Sequence, residues 1–240
     1  MISFFYYNDA RSTDYNLLMN PEFDLNGPES DIEFREIPGV DGDVAIFNNR
    51  LKGVTRSIPV YIRPHSKVSV EEIASKISNW LTVNAGWKDL VFSNSPEFVY
   101  KAIYIEEFQL QKTITQYSKA ILTFRLKPYK FYKSGLEEIK LENGISIYNP
   151  GSRPSRPRLK VIGNGNITIF LNGEPIKLEA VESGVIIDVL DDVITDMDNR
   201  YSWDKLLSYP FPRLEPGEVE ISWTGADSVS IVPRWEEVLP

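Results

Sequence analysis

The sequence contains no cysteine. That removes disulfides, zinc–thiolate sites, iron–sulfur clusters and thiol nucleophiles together, and it fits a fold made in a reducing compartment. There is one histidine, His65. Polyhistidine metal sites are thereby excluded, and Ser-His-Asp hydrolysis has almost nowhere to sit. In the polar stretch HSK that follows IRP, His65 reads as an exposed loop residue. No apolar run approaches the ~18 residues of a membrane span, and the opening MISFFYYNDAR lacks a basic n-region and a small-residue cleavage site. Neither membrane insertion nor a signal peptide is expected. Basic residues are outnumbered 26 to 34, for a net charge of −8. A protein that grips phosphates carries a basic surface, so specific nucleic-acid binding is not expected. DNA could still pass such an acidic surface without sticking. Walker, GxGxxG and GxSxG motifs are all missing, and no cofactor and no enzymatic activity are expected.

What is present is a globular, strand-rich chain of 240 residues, 42% hydrophobic and 25% charged. Segments 2–7, 32–37 and 44–47 read as β. SIPVYIR (57–63) alternates, with Ile58, Val60 and Ile62 on one face and Pro59 marking an edge or a bulge. Segments 98–111 and 117–127 read as a long hairpin joined by KTITQ (112–116). One helix interrupts them at 69–83. Ser69 is its N-cap, Glu72 completes a capping box, and Val70, Ile73, Ile77, Trp80 and Leu81 form a stripe that packs on a sheet. Gly86 stands near its C-terminal stop. From 128 to 148 the pattern changes to two short strands around Asn143-Gly144. NPGSRPSRPRLKV (149–161) is too rich in proline for helix or central strand and reads as an ordered, extended crossover. Beyond it, short strands punctuated by Asn172-Gly173, Ser183-Gly184 and Pro216-Gly217 indicate a sandwich or jelly roll. The chain thus divides into two β-rich domains, 1–133 and 134–240.

Several constellations could carry chemistry. In PGVDGDV (38–44), Asp41 and Asp43 flank Gly42. An EF-hand-type calcium loop needs about five oxygen ligands over twelve residues, which this stretch lacks. Pro38, Gly39, Asp41 and Gly42 therefore read as a structural turn, with Asp-Gly suited to positive φ at both central positions. In DVLDDVITDMDNRY (188–201), Asp191, Asp192, Asp196 and Asp198 could offer oxygen ligands. Their spacing matches no calcium loop and no glycine stands at a sharp turn, so a solvated acidic loop is expected and no metal. Asn166-Ile167-Thr168 is formally a glycosylation acceptor, which means little without a secretion signal. Arg153, Arg156 and Arg158 form the one local basic cluster, either solvated loop arginines or a surface for an acidic partner. Trp223 and Trp235 lie in alternating strands and read as core anchors. Trp203 lies in a loop, where an aromatic face could stack on a sugar ring.

Taken in order, these segments carry a resemblance. Pro38-Gly39-Val40-Asp41-Gly42 precedes a hairpin, a capped helix follows at 69–83, and a strand closes on Lys127-Pro128-Tyr129. Then come Asn149-Pro150-Gly151 with its crossover (149–157), Asn172-Gly173, Ile187-Asp188, the Phe-Pro-x-Leu-x-Pro-Gly of 211–217, Ser-Trp-x-Gly at 222–225 and Pro-Arg-Trp at 233–235. The series resembles the distal tail protein (Dit) family of long-tailed bacteriophages and prophages over nearly the full chain. The resemblance implies a mainly β, two-domain virion protein. Residues 1–133 would be a β-sandwich with one α-helix and a protruding hairpin that builds a hexameric ring. Residues 134–240 would be a galectin-like, jelly-roll-type sandwich hanging outside. It further implies a structural baseplate hub at the virion tail tip, assembled in the host cytoplasm. Its partners would be a homo-hexamer, the tail tube protein, a tail-associated lysin or fibre and a receptor-binding protein. The outer domain would dock that protein or a cell-wall polysaccharide, with Trp203, Arg153 and Arg156 as candidate contacts. The ring hairpin could be that around 32–63 or that around 98–127.

Overall fold

The computed structural model describes residues 3–62, 69–83, 85–111 and 118–240. His65 and the 112–116 connection lie outside the described residues. The fold is mainly β with one α-helix and divides into two compact units, residues 1–130 with 238–240, and residues 131–237.

The first unit opens with three very short strands, β1 (Phe5–Tyr7), β2 (Ala10–Arg11) and β3 (Leu17–Met19). Then come β4 (Ser30–Glu36), β5 (Asp43–Leu51) and β6 (Val54–Ile62). After the helix α1 (Val70–Thr82) follow β7 (Lys88–Phe92), β8 (Phe98–Tyr104), β9 (Leu110–Gln111) and β10 (Ser118–Tyr132). The main sheet runs β2-β1-β7-β8-β10-β6-β3, and β9 pairs with β10. β4 and β5 stay out of it and form a sheet of their own.

Alternation builds the core. On β6, Val54, Ile58, Val60 and Ile62 are buried, and on β10 so are Leu122, Phe124 and Leu126. The helix lays Ile73, Ile77, Trp80 and Leu81 into the same core. Its start follows the sequence, with Ser69 Oγ accepting from Glu72 N at 3.1 Å. Trp80 is fixed at both ends: its indole N–H donates to the Tyr7 carbonyl at 3.1 Å, and its ring stacks on Tyr15 at 4.4 Å. The helix stops with Val83 already extended, so Gly86 (φ 120°) shapes the next turn rather than the helix end. Pro59 lies one residue past the β3 pairing, which ends at Val60, and its carbonyl accepts from Asn20 N at 2.9 Å. Over that residue β6 has a ladder partner in β10 alone, and the missing N–H of proline is tolerated there. One inward position on β6 is charged: Arg56 is 2% exposed, and its guanidinium contacts the Asn26 carbonyl at 3.4 Å and interacts with Tyr100, whose ring centroid lies 5.9 Å away.

The second unit holds β11 (Ile139–Lys140), β12 (Ile145–Asn149), β13 (Arg158–Leu171), β14 (Glu174–Val181), β15 (Gly184–Asp188), β16 (Val193–Asp196) and β17 (Gly217–Val232). The order is β11-β17-β13-β15-β16, with β12 on β17 and β14 on β13. The long strands β13 and β17 slip register around Gly163, where the ladder turns a corner. Before the corner β13 pairs with β15, and after it with β14. One continuous pair of strands thus serves two parts of a curled sheet around a core of aliphatic residues, Trp223 and Trp235. The last strand, β18 (Glu236–Val238), pairs with β10. Beyond it Leu239 is buried in the first unit's core and donates its N–H to the Pro128 carbonyl at 3.1 Å. Among the described residues no helix is long and apolar enough to cross a membrane.

Candidate functional site

The ribbon of β4 and β5 is the part of the first unit that its own core does not explain. Its register pairs Ile32 with Phe47, Phe34 with Ala45 and Glu36 with Asp43. Residues directly opposite share a face, so Ile32, Phe34, Ala45 and Phe47 form one apolar surface with Glu36 and Asp43 at its far end. Phe34 is 65% exposed and Phe47 64%. Val44 is exposed on the opposite face, and Ile37 and Val40 at the tip. The ribbon's register shifts once, between Ser30 and Ile32, near its root. Arg50 Nε donates to Asp31 at 2.5 Å, and the hydrogen bond and charge of Arg50 hold that carboxyl below its ordinary value. At the root, Lys52 N donates to the Glu29 carbonyl at 2.8 Å.

The tip is the Pro-Gly-Val-Asp-Gly stretch. Val40 N donates to the Ile37 carbonyl at 3.1 Å, with Pro38 and Gly39 between them and Gly39 at φ 83°. That is a turn with proline at its second position and glycine at its third, where positive φ is required. Gly42 (φ 80°) supplies the second left-handed step. Asp41 is not among the positive-φ residues, because the Pro38-Gly39 pair closes the turn before the Asp-Gly pair is reached. Asp41 and Asp43 are exposed, and no group of three metal-ligating side chains occurs among the described residues.

In the second unit, the crossover 149–157 is pinned from below. Asn149 donates to the Arg153 and Leu214 carbonyls and accepts from Gly151 N, and Ser155 Oγ donates to the Pro233 carbonyl. Gly151 is required: a Cβ there would stand 2.1 Å from the Glu236 carbonyl oxygen. Arg156 points inward and grips the buried Glu236 with two bonds, at 3.0 and 3.1 Å. Burial pushes the Glu236 carboxyl up, and the Arg156, Arg153 and Arg213 charges oppose that rise. Arg153 is half-buried in the same network, while Arg158 is exposed on β13.

The acidic stretch 188–201 mostly folds onto itself. Asp188 accepts from Arg234 through both oxygens, at 2.5 and 2.8 Å, and from Leu190 N and Asp191 N. Burial acts to raise its carboxyl, but the Arg234 guanidinium and the two amides outweigh it and hold it below the ordinary value. Asp196 accepts from Asp198 N and Arg200 N, both at 2.9 Å. Asp192 accepts from the Tyr209 hydroxyl at 2.7 Å, which raises that phenol.

That last bond ties the stretch to an aromatic cluster. Trp203 lies 6.3 Å from Tyr209 and 6.1 Å from the buried Phe211. Trp203 is 42% exposed, Tyr209 63% and Tyr201 79%, with Leu207 also exposed. Trp203 stood out in the sequence as a loop tryptophan. Its companions did not, since Tyr209 meets it only along the folded path of the 203–211 loop.

No protein-family model and no curated protein matches the chain. Solved structures do. The SPP1 Dit protein, described as a paradigm of the hub adsorption apparatus in phages infecting Gram-positive hosts, matches with TM-score 0.73 at 16% identity, over 96% of this chain and 98% of that one. A chain of the phage P2 baseplate in its activated conformation with Ca matches with TM-score 0.52 at 10% identity, over 96% and 97%. The corresponding baseplate with Sr gives 0.53, again at 10% identity over 96% and 97%. The likeness to distal tail proteins suggested by the motifs is therefore present in the fold, along nearly the entire chain.

The Asp188–Arg234 pair makes a testable statement about stability. Arg234→Met leaves a buried carboxylate without its cation and is expected to lower the stability of the second unit by about 3–5 kcal/mol. Because the folded carboxyl lies below its ordinary 3.8, its contribution is complete above that value and disappears as pH falls through the folded one. Urea melts from neutral to acidic pH check both parts: the parent loses this increment in acid, and the variant has none to lose.

Proposed function

We propose that this protein is a structural hub of a long-tailed phage tail tip, with six copies closing into a ring. The observation that carries this reading is the β4–β5 ribbon, a separate two-stranded sheet whose exposed Phe34 and Phe47 have no core of their own. The fold likeness to the SPP1 Dit protein supports it. In this reading the first unit builds the ring. The second is a galectin-like outer sandwich that meets receptor-binding proteins, while the ring joins the tail tube to the baseplate and the tail lysin or fibre. The location is the virion, after assembly in the host cytoplasm. The role needs no catalysis. An acidic chain, repeated around a lumen, repels exiting DNA rather than holding it.

A second reading concerns the outer unit alone. The exposed Trp203 and Tyr209 rings offer apolar faces beside the Asp192 carboxylate, the pairing of stacking surface and hydrogen-bonding group that suits a pyranose of a cell-wall polysaccharide. Arg153 and Arg156 are weaker candidates for that contact, being partly or wholly committed to the Glu236 network.

Two measurements follow. Light scattering on the purified chain is expected to give about six copies per particle, and replacing 30–51 by a short Gly-Ser link is expected to give single copies. A parent chain that stays single at high concentration removes the ring. Pull-down on host cell walls is expected to retain the chain and to lose it on Trp203→Ala with the fold intact. No retention, or equal retention by the variant, removes the sugar reading.

A further inference from the structure

Four asparagines stand directly before a glycine: Asn26, Asn143, Asn164 and Asn172. In that pair the asparagine side chain is open to attack by the next backbone nitrogen, because glycine has no Cβ to shield it. Such asparagines are chemically labile unless the fold holds the reacting atoms apart. At three of the four it does. Asn143 donates to the Trp223 carbonyl at 3.0 Å and accepts from Trp223 N at 2.9 Å, and the nitrogen that would attack it, Gly144 N, donates to the Ile221 carbonyl. Asn164 accepts from Ser183 N at 2.9 Å and Asn172 from Glu220 N at 2.8 Å. Each of these carboxamides is held in place by a distant backbone group.

Asn26 is the exception. It is exposed, in the irregular stretch between β3 and β4. Among the described residues its carboxamide makes no hydrogen bond and Gly27 N has no acceptor. Only the main-chain carbonyl of Asn26 is engaged, by Arg56 Nη2 at 3.4 Å. Arg56 Nε and Nη1 are buried and have no hydrogen-bond partner among the described residues.

We propose that Asn26 is a site of spontaneous deamidation and that Arg56 steers its product to isoaspartate. Gly27 N attacks the side-chain carbonyl carbon of Asn26, its proton leaves with the amide nitrogen as ammonia, and a succinimide ring closes. Water then opens the ring at one of its two carbonyls, and Gly27 N recovers a proton from that water. Attack at the side-chain carbonyl gives aspartate. Attack at the main-chain carbonyl breaks the original peptide bond and gives isoaspartate, with the chain running through the side chain and a free α-carboxylate. The Arg56 guanidinium stands at the main-chain carbonyl oxygen, the atom that gains negative charge in the second route. A donor aimed at developing charge favours that route. The α-carboxylate it leaves is a charged acceptor beside a buried cation that otherwise has a neutral one. The extra methylene enters the backbone in the segment that leads into β4.

Gly27→Ala tests the site. A Cβ there meets ordinary contacts, the nearest 3.5 Å away at the Leu239 carbonyl oxygen, and Gly27 is not in the left-handed region. The variant is therefore expected to keep the fold. The full chain is incubated at mildly alkaline pH and mapped by peptide mass spectrometry, since each event replaces an NH2 by an OH and adds one mass unit. Asn26 is expected to react faster than the other three by roughly tenfold, the slowing that one hydrogen bond of ordinary strength imposes. In urea, with the turns gone, the four are expected to react at comparable rates. Gly27→Ala is expected to suppress the event at Asn26 alone. Chromatography separates isoaspartyl from aspartyl peptides, and the isoaspartyl share at Asn26 is expected to be larger from the folded chain than from the chain in urea. Equal rates at all four asparagines of the folded chain, or an Asn26 that reacts only in urea, would overturn the site. An isoaspartyl share unchanged by unfolding would overturn the role of Arg56.

Discussion

A two-stranded ribbon surrounded by water has no third layer to bury its side chains against, and alone it is at best marginally stable. Burying a phenylalanine is worth roughly 1.5–3 kcal/mol, and β4–β5 forgoes that gain twice over, at Phe34 and Phe47. The rest of the first unit is consistent with a rigid base for this ribbon. The main sheet is filled on its inner side by α1 and by alternating aliphatic residues, and its short outer strands β2 and β3 are too small to invite further pairing. Hydrophobic burial therefore stops at the root of the ribbon, and under the proposed ring reading a neighbouring copy would resume it.

Charge is handled differently in the two units. The second unit buries its ions in pairs, Arg156 with Glu236 and Arg234 with Asp188, each joined by two hydrogen bonds. Such pairs add little net stability but fix geometry, because leaving either partner alone is expensive. Here they hold the proline-rich crossover and the end of β15 in place. The first unit instead buries Arg56 with a long contact to Asn26 and an offset aromatic ring, and desolvation lowers its pKa. Its reach toward Asn26 places it beneath the segment that leads into the ribbon.

Much of this was legible in the residues. The capping box and apolar stripe give α1, and the alternation at Ile58, Val60 and Ile62 gives β6, because each signal repeats over several residues. The three strands of two or three residues before Met19 have no period to read. Pro128 reads as a break, yet β10 runs through it to Tyr132. The β6 ladder has already ended at Leu126, so the absent N–H breaks no bond on that side. Two hairpins looked equally able to protrude. Only pairing decides between them, and it puts β8 and β10 in the main sheet and β4–β5 outside. At the candidate sites the sequence offered single residues, Trp203 and Arg156. Glu236 reaches Arg156 by tertiary approach from 80 positions away, whereas Tyr209 meets Trp203 through the local path of the 203–211 loop.

The central claim is that the 30–51 ribbon is completed by another copy. Amide hydrogen exchange across a dilution series addresses it most directly. The account predicts that peptides covering β4 and β5 are protected at high concentration and lose protection on dilution, while those of β6 and β10 within the core stay protected throughout. Protection of the ribbon that is the same at every concentration, strong or weak, would contradict it.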